Sequence, residues 1–326
     1  MNIESELSKY IHKFEHLRTD RTGRWSAATQ FQAPHKPILL LVVLDLFAEG
    51  HVQSNLIEIT AELGELFAAY WSKIMPPERR GNLALPFFHL RSSGFWHLIP
   101  RPGQEVALES IRQIDTLSQL QKLSLGARVD EELYLLLQDE KPRNALQTTL
   151  IQTYFSQENQ SALLTQSLIN LQSFQYSQQL IELARKELKE TPNDSYQPNV
   201  RDQGFRRAVV RIYDHRCALC GLRMLTIDGH SVVDAAHIVP WTITHNDDPH
   251  NGMALCRLCH WTFDEGLIGL SNHYVLILSP ELRATSNVAG HLLTLESRTM
   301  IGPSEQVLWP DLDALSWHRQ NVFRNL

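Results

Sequence analysis

Residues Cys217–Trp241, CALCGLRMLTIDGHSVVDAAHIVPW, open with a C-x2-C pair and close on a lone histidine in a short apolar run. A second pair follows in Asn251–Gly266, NGMALCRLCHWTFDEG, with His260 directly behind its last cysteine. Cys217, Cys220, Cys256 and Cys259 therefore read C-x2-C-x35-C-x2-C, and they are all the cysteines of the chain. Four thiolates at this spacing suit a closed tetrahedral zinc site, which stabilises folding and leaves no open position for chemistry. The expected zinc is structural, and two histidines remain that such a knot does not need. Cysteines confined to two such pairs also fit a reducing compartment, where thiols bind metal in preference to pairing.

Val232-Val233 and Ile238-Val239 frame His237 in a strand-like run, and Cys259–Asp264 reads as a short helix. On that helix His260 and Asp264 are spaced i, i+4 and share a face. An imidazole and a carboxylate on one face can hold a divalent cation in an open site. His237, on a facing strand, can then deprotonate a water beside that cation. Taken singly, the residues also fit plainer roles: a packed core histidine, and a His-Asp pair within one helix. Their company beside a zinc knot favours a site.

The segments RDQGFRRAVVRIYDHRCALCG (201–221), DAAHIVPW (234–241), HNDDPHNGMALC (245–256) and HWTFDEGLI (260–268) resemble the HNH, or ββα-metal, nucleases in the variety with four zinc cysteines. The resemblance covers about residues 201–326. It implies His237 as general base, Asn251 as the residue that fixes the loop carrying that base, and His260 with Asp264 as ligands of a catalytic metal. Many HNH sites place Asp or His immediately before the base, whereas this chain has Ala236. Asp234, on the same strand face as residue 236, is the expected replacement ligand. A neutral histidine serves as base near pH 7, and one Mg2+, Mn2+ or Ni2+ ion would clamp the scissile phosphate. His and Asp ligands do not decide among those metals.

Outside this segment, 326 residues suggest two domains, and 43% hydrophobic with 20% charged residues is ordinary globular material. The first residues lack the basic and apolar regions of a signal peptide. The longest apolar run, PILLLVVLDLFAEG (37–50), is broken by Asp45 and is too short to span a bilayer. The expectation is a cytoplasmic protein without a membrane partner. A net charge of -6 argues against nonspecific coating of nucleic acid, but leaves room for local basic patches. One lies just before the knot: Arg201, Arg206, Arg207, Arg211, Arg216 and Arg223 stand against Asp202 and Asp214. Arg206 and Arg207 are the expected DNA contacts there, although part of this cluster also reads as a solvated helix face.

The N-terminal half shows a buried helix in KPILLLVVLDLFAEG with Pro37 in its first turn, and a second helix in LIEITAELGELFAAYWSKIM. LALPFFHLRSSGFWHLIP (83–100) reads as a hairpin turning at Ser92-Ser93-Gly94. Residues 130–190 carry helical periodicity, and the Pro/Asn/Asp-rich stretch 191–200 reads as a boundary. His35 and Lys36 sit at a helix N-terminus, where free N–H groups attract an anion such as a phosphate. HKPILLL followed by LPFFHLRSSGFW resembles the sulfur-binding domain of McrA-type restriction endonucleases, over roughly residues 10–125. Those are type IV enzymes that join such a reader to a C-terminal HNH domain and cut phosphorothioated DNA. The resemblance implies an apolar sulfur cavity at Pro86, flanked by Leu85 and His89, with His35, Lys36 and Arg91 near the backbone. The family often has Tyr before that proline, where this chain has Leu85.

The expected fold class is α+β: a mixed, mostly helical DNA-reading domain over 1–190 with its helical connector, and a ββα-metal domain with a four-cysteine zinc knot over 191–326. The expected function is phosphorothioate-dependent cleavage of double-stranded DNA, with structural Zn2+ and a catalytic divalent metal. Two alternatives stand beside it. One is an HNH restriction endonuclease that reads a modified base such as methylcytosine. The other is a catalytically silent DNA-binding regulator, against which His237, His260 and Asp264 all argue. Cutting both strands with one active site per chain suggests a homodimer.

Overall fold

The computed structural model describes residues 3–188, 196–224, 226, 231–284 and 290–325. They divide into two compact units, the first running to Leu171 and the second comprising Gln172–Met224 and the chain from Ser231. Residues 191–195 of the 191–200 stretch lie outside the described residues.

The first unit is organised around a helix that is apolar on all sides and so has to be buried. This is α2 (His35–Ala48), and every residue from Lys36 to Phe47 is buried. Its C-terminus is closed by Gly50 at φ +73°, which lets the amides of Gly50 and His51 reach the carbonyls of Phe47 and Leu46. Before it comes α1 (Ile3–Glu15); after it come β1 (Ile57–Glu58), α3 (Ala61–Ile74) and α4 (Ala84–His89). Then follow β2 (Trp96–Pro100), α5 (Glu105–Ser110), α6 (Leu117–Leu123), β3 (Ser124–Val129), α7 (Glu131–Leu137), α8 (Glu140–Tyr154) and α9 (Gln157–Arg185). The Thr60 hydroxyl caps α3 by accepting from the Leu63 amide. α3, α4 and α8 pack on α2, while β1, β3 and β2 form an antiparallel sheet with β3 in the middle.

The expected hairpin over 83–100 is not formed. Its first arm is α4, and residues Leu90–Ser93 continue as a 3-10 turn before β2. Asn82 Oδ1 accepts from the Ala84 and Leu85 amides and starts the helix. Ala84, Phe87, Phe88 and Leu90 are then all fully buried, a spacing a helix satisfies and a strand does not. β2 pairs with β3, which is remote in sequence, instead of folding back on residues 84–90.

A carboxyl group is sealed into this core. Asp45 lies in the middle of α2, and it accepts hydrogen bonds from Tyr70 Oη (2.8 Å), Ser167 Oγ (2.6 Å) and Asn170 Nδ2 (2.7 Å). Burial pushes its carboxyl up to about 7, against the lowering effect of those donors. The folded value lies above the ordinary 3.8, so folding takes up a proton between the two. Stability from this group is therefore complete below pH 4 and declines as pH rises towards 7. Asp45→Asn is expected to remove that slope, about 1.4 kcal/mol per unit of pKa difference. Denaturant titrations of both proteins at pH 5 and pH 8 read it, and equal losses in the two would contradict it.

The second unit holds the ββα arrangement. α10 (Pro198–Ile212) leads to β4 (Val233–His237), which pairs antiparallel with β5 (Gly252–Cys256). Between these strands lies α11 (Trp241–Thr244), and α12 (Arg257–Asp264) follows β5 directly. β6 (Ile268–Leu270) and β7 (Leu276–Leu278) form a second antiparallel pair, and a helix at Leu312–Asn321 closes the chain. α10 and α12 both pack against the β4–β5 ribbon. The core of this unit also takes Tyr176, Leu180, Ile181 and Ala184 from the second half of α9. Among the described residues, no helix is long and apolar enough to cross a membrane.

Candidate functional site

The four cysteines lie on two elements that the β4–β5 ribbon brings together. Cys217 and Cys220 follow α10 in a tight turn, where the Gly221 amide donates to the Cys217 carbonyl and the Ala218 amide to that of Ala254 on β5. Cys256 ends β5 and caps α12, whose first turn carries Cys259. All four sulfurs lie within 4.8 Å of one another, and Cys220 and Cys256 are 3.7 Å apart. Ligands about 2.3 Å from a central zinc at tetrahedral angles stand about 3.8 Å apart, so the set fits the ion. Without a cation such crowding splits the thiols: hydrogen bonds from Cys217 push Cys220 and Cys256 down, while hydrogen bonds to neighbouring sulfurs push Cys217 and Cys259 up. A bound zinc would hold all four ionised. Metal analysis is expected to find one zinc per folded chain, and Cys256→Ala protein should not fold stably. Folded wild-type protein free of zinc would contradict both.

His237 is the last residue of β4 and stands opposite Gly252 of β5. Its ring stacks on Phe205 of α10, with centroids 3.9 Å apart and planes 8° from parallel. Gly252 is needed there because a Cβ would come within 2.9 Å of the Phe205 ring and 2.6 Å of Val209. His237 Nε2 lies 3.0 Å from Asp247 Oδ1. Asn251 is buried, and its Oδ1 accepts from the Val239 amide while Nδ2 donates to the Val239 and Asn246 carbonyls. One side chain thus ties both ends of the loop that follows His237. On α12, His260 Nε2 and Asp264 Oδ2 are 3.4 Å apart, a separation that one cation can bridge. Burial pushes the Asp264 carboxyl up. Asp234 is turned elsewhere: it is well exposed and accepts from Arg206 Nε at 2.8 Å. Among the described residues it does not gather with His260 and Asp264 into a three-ligand cluster.

The arginines before the knot are largely engaged. Arg201 pairs with Asp202 and Asp247, Arg206 with Asp234, and Arg223 with Asp214, while the Arg207 guanidinium lies 5.3 Å from the Phe174 ring centre.

In the first unit, a cavity of about 670 Å³ gathers segments that are distant in sequence. His35 and Lys36 come from the first turn of α2, Leu85, Pro86 and His89 from α4, and Ser92 from the turn after it. Lys36 is buried and donates to Ser92 Oγ at 3.2 Å; burial, with Arg18 nearby, pulls its ammonium down to about 8. Burial, aided by Arg79, pulls His35 down to about 4, so it is neutral at pH 7. Arg91 is not part of the wall. Its guanidinium stacks 3.8 Å from the Phe88 ring centre and donates to the Ile111 carbonyl.

The wall also includes Trp25, Trp71, Arg79 and Arg80, which the sequence did not single out. His35 stands between the two indoles, 5.4 Å from Trp25 and 4.6 Å from Trp71. Arg79 covers Trp25 at 4.5 Å, and its carbonyl accepts from Trp71 Nε1. The adjacent arginines in PPERRGN (76–82) were the available signal. Asp247 was also missed; it stands inside HNDDPHNG, where nothing local distinguishes it from Asp248.

Two family profiles match the chain, one in each unit's sequence. The profile of the ScoMcrA-like DNA sulfur-binding domains matches residues 8–170, and that of the HNH endonucleases matches residues 217–271. No curated protein matches the chain. Among solved structures, a modification-dependent TagI restriction endonuclease is similar at 24% identity, covering 40% of this chain and 40% of that one, with a TM-score of 0.29. That likeness is too partial to bear on either site.

Proposed function

We propose a function from one premise: the chain belongs to the ScoMcrA-like DNA sulfur-binding domain family, and it carries an HNH endonuclease domain behind that reader. It is a modification-dependent DNA endonuclease whose first unit recognises phosphorothioated DNA. The observation that carries this reading is the cavity that joins Leu85 and Pro86 to His35, Lys36 and a rim of Arg18, Arg24, Arg79 and Arg80. An apolar floor inside a basic rim suits a phosphate in which sulfur replaces one oxygen. A non-bridging oxygen is strongly hydrated, and burying it without a donor costs roughly 1–3 kcal/mol. Sulfur is larger, softer and a weaker acceptor, so the same floor accepts it at little cost. Rejection of ordinary phosphate then supplies much of the discrimination.

At the second site His237 takes a proton from water as that water attacks phosphorus, and Asn251 holds the loop beside it. His260 and Asp264 would hold the divalent cation, with Asp234 as a further ligand once it leaves Arg206. Bound there, Mg2+, Mn2+ or Ni2+ supplies charge neutralisation at the phosphate and at the departing 3' oxygen. Arg206 and Arg207 contact the DNA backbone. Two copies of the chain act on the two strands.

A second reading has an observation of its own. The aromatic wall formed by Trp25, His35 and Trp71 offers ring surface on which an extruded base could stack, which favours recognition of a modified base such as methylcytosine. One binding series separates the two. The full chain is titrated with matched duplexes that are unmodified, phosphorothioated or cytosine-methylated. Preference for the sulfur duplex supports the first reading, and preference for the methylated duplex replaces it with the second.

A further inference from the structure

We infer that Asp247 is the positioning residue of the nuclease site: its carboxylate holds His237 in the one tautomer that leaves Nδ1 free as the base. The inference rests on the proposed nuclease reading, but the geometry behind it is independent. Asp247 is 3% exposed and offers Oδ1 to His237 Nε2 at 3.0 Å. Its other oxygen, Oδ2, accepts from Arg201 Nη1 at 3.1 Å and Tyr176 Oη at 3.1 Å. A buried carboxylate persists only with such compensation. Arg201 is itself held, with Nη2 on Asp202 and its guanidinium 3.8 Å from the Trp241 ring centre.

The tautomer follows from donor and acceptor counting. An ionised carboxylate only accepts, so Nε2 must carry the proton it shares with Asp247. Nδ1 then keeps its lone pair and can take a proton from water. Phe205 fixes the ring plane by stacking, and Asp247 fixes the rotation within that plane. As Nδ1 gains its proton, the imidazolium that forms finds its counter-charge already in place.

Asp247→Asn tests this because it changes one atom and inverts the hydrogen bonding. Arg201 can only donate, so the Asn carbonyl must face it and the Asn NH2 must face His237. Nε2 becomes the acceptor, the ring proton moves to Nδ1, and the base is blocked. Long-range proton–nitrogen spectra of the His237 ring, assigned with His237→Ala, should show Nε2–H in wild type and Nδ1–H in Asp247→Asn. Cleavage should fall about 100-fold or more, while the Kd for DNA stays within about twofold. An Nδ1–H ring in folded wild-type protein overturns the inference without any variant. So does a variant that keeps Nε2–H, or that cuts within threefold of wild type. Should wild type cut no DNA, the nuclease reading falls, while the tautomer exchange still supports Asp247 as the residue that sets the ring.

Discussion

His237→Ala is expected to slow DNA cleavage about 10²–10⁴-fold while leaving DNA affinity unchanged. The ring touches Phe205 and Asp247 at the end of β4 and is half-buried, whereas the pairing of His237 with Gly252 in the ribbon is made by backbone. Removing it should therefore cost the base and little of the fold. Alanine leaves room for a water but supplies no acceptor at its position, so the attacking water keeps its proton until a weaker base meets it. Rates are compared with saturating Mn2+ and with DNA bound at saturation, which confines the effect to the chemical step. A variant that cuts within a few fold of wild type would assign the base to another residue. Loss of binding in parallel with cutting would instead assign His237 to DNA contact.

Pro86→Asp should abolish any preference for phosphorothioated DNA. Pro86 is buried in the first turn of α4 and forms part of the cavity floor. A carboxylate in that turn suits the helix dipole, so the substitution should leave α4 intact. It does, however, place a hydrated negative charge where the phosphate group must settle, and the floor no longer favours sulfur over oxygen. A discrimination of about 2 kcal/mol is about thirtyfold in Kd, and that factor should fall to about one. Lys36→Met makes the contrast. It removes a charge from the cavity wall, so it should weaken modified and unmodified duplexes alike and flatten the salt dependence by about one charge. If folded Pro86→Asp protein still prefers the sulfur duplex, the apolar floor is not the reader, and the two indoles of the same wall become the surface to test.

Much of the nuclease half is legible because its chemistry is local. The cysteine spacing, the His-Asp pair one helical turn apart and a histidine closing a strand-like run all lie within a single short stretch of chain. The reader is less legible. PFFHL looks like a strand by composition, since Phe is enriched there. It is a helix because Ala84, Phe87, Phe88 and Leu90 must reach one core together, a requirement visible only once α2 stands behind them.

Residue type and spacing alone determined the four-cysteine cluster, the shared His260–Asp264 face of α12 and the buried helix α2, because a thiol set, an i, i+4 pair and an all-apolar run carry their physics wherever they fold. Only the tertiary structure decided that Trp25, Trp71 and Arg79 wall the same cavity as Pro86, that Asp234 turns to Arg206, and that Asp247 meets His237. Each of these is a contact between side chains on different elements. Its geometry is set by how those elements pack, and no local pattern encodes that distance.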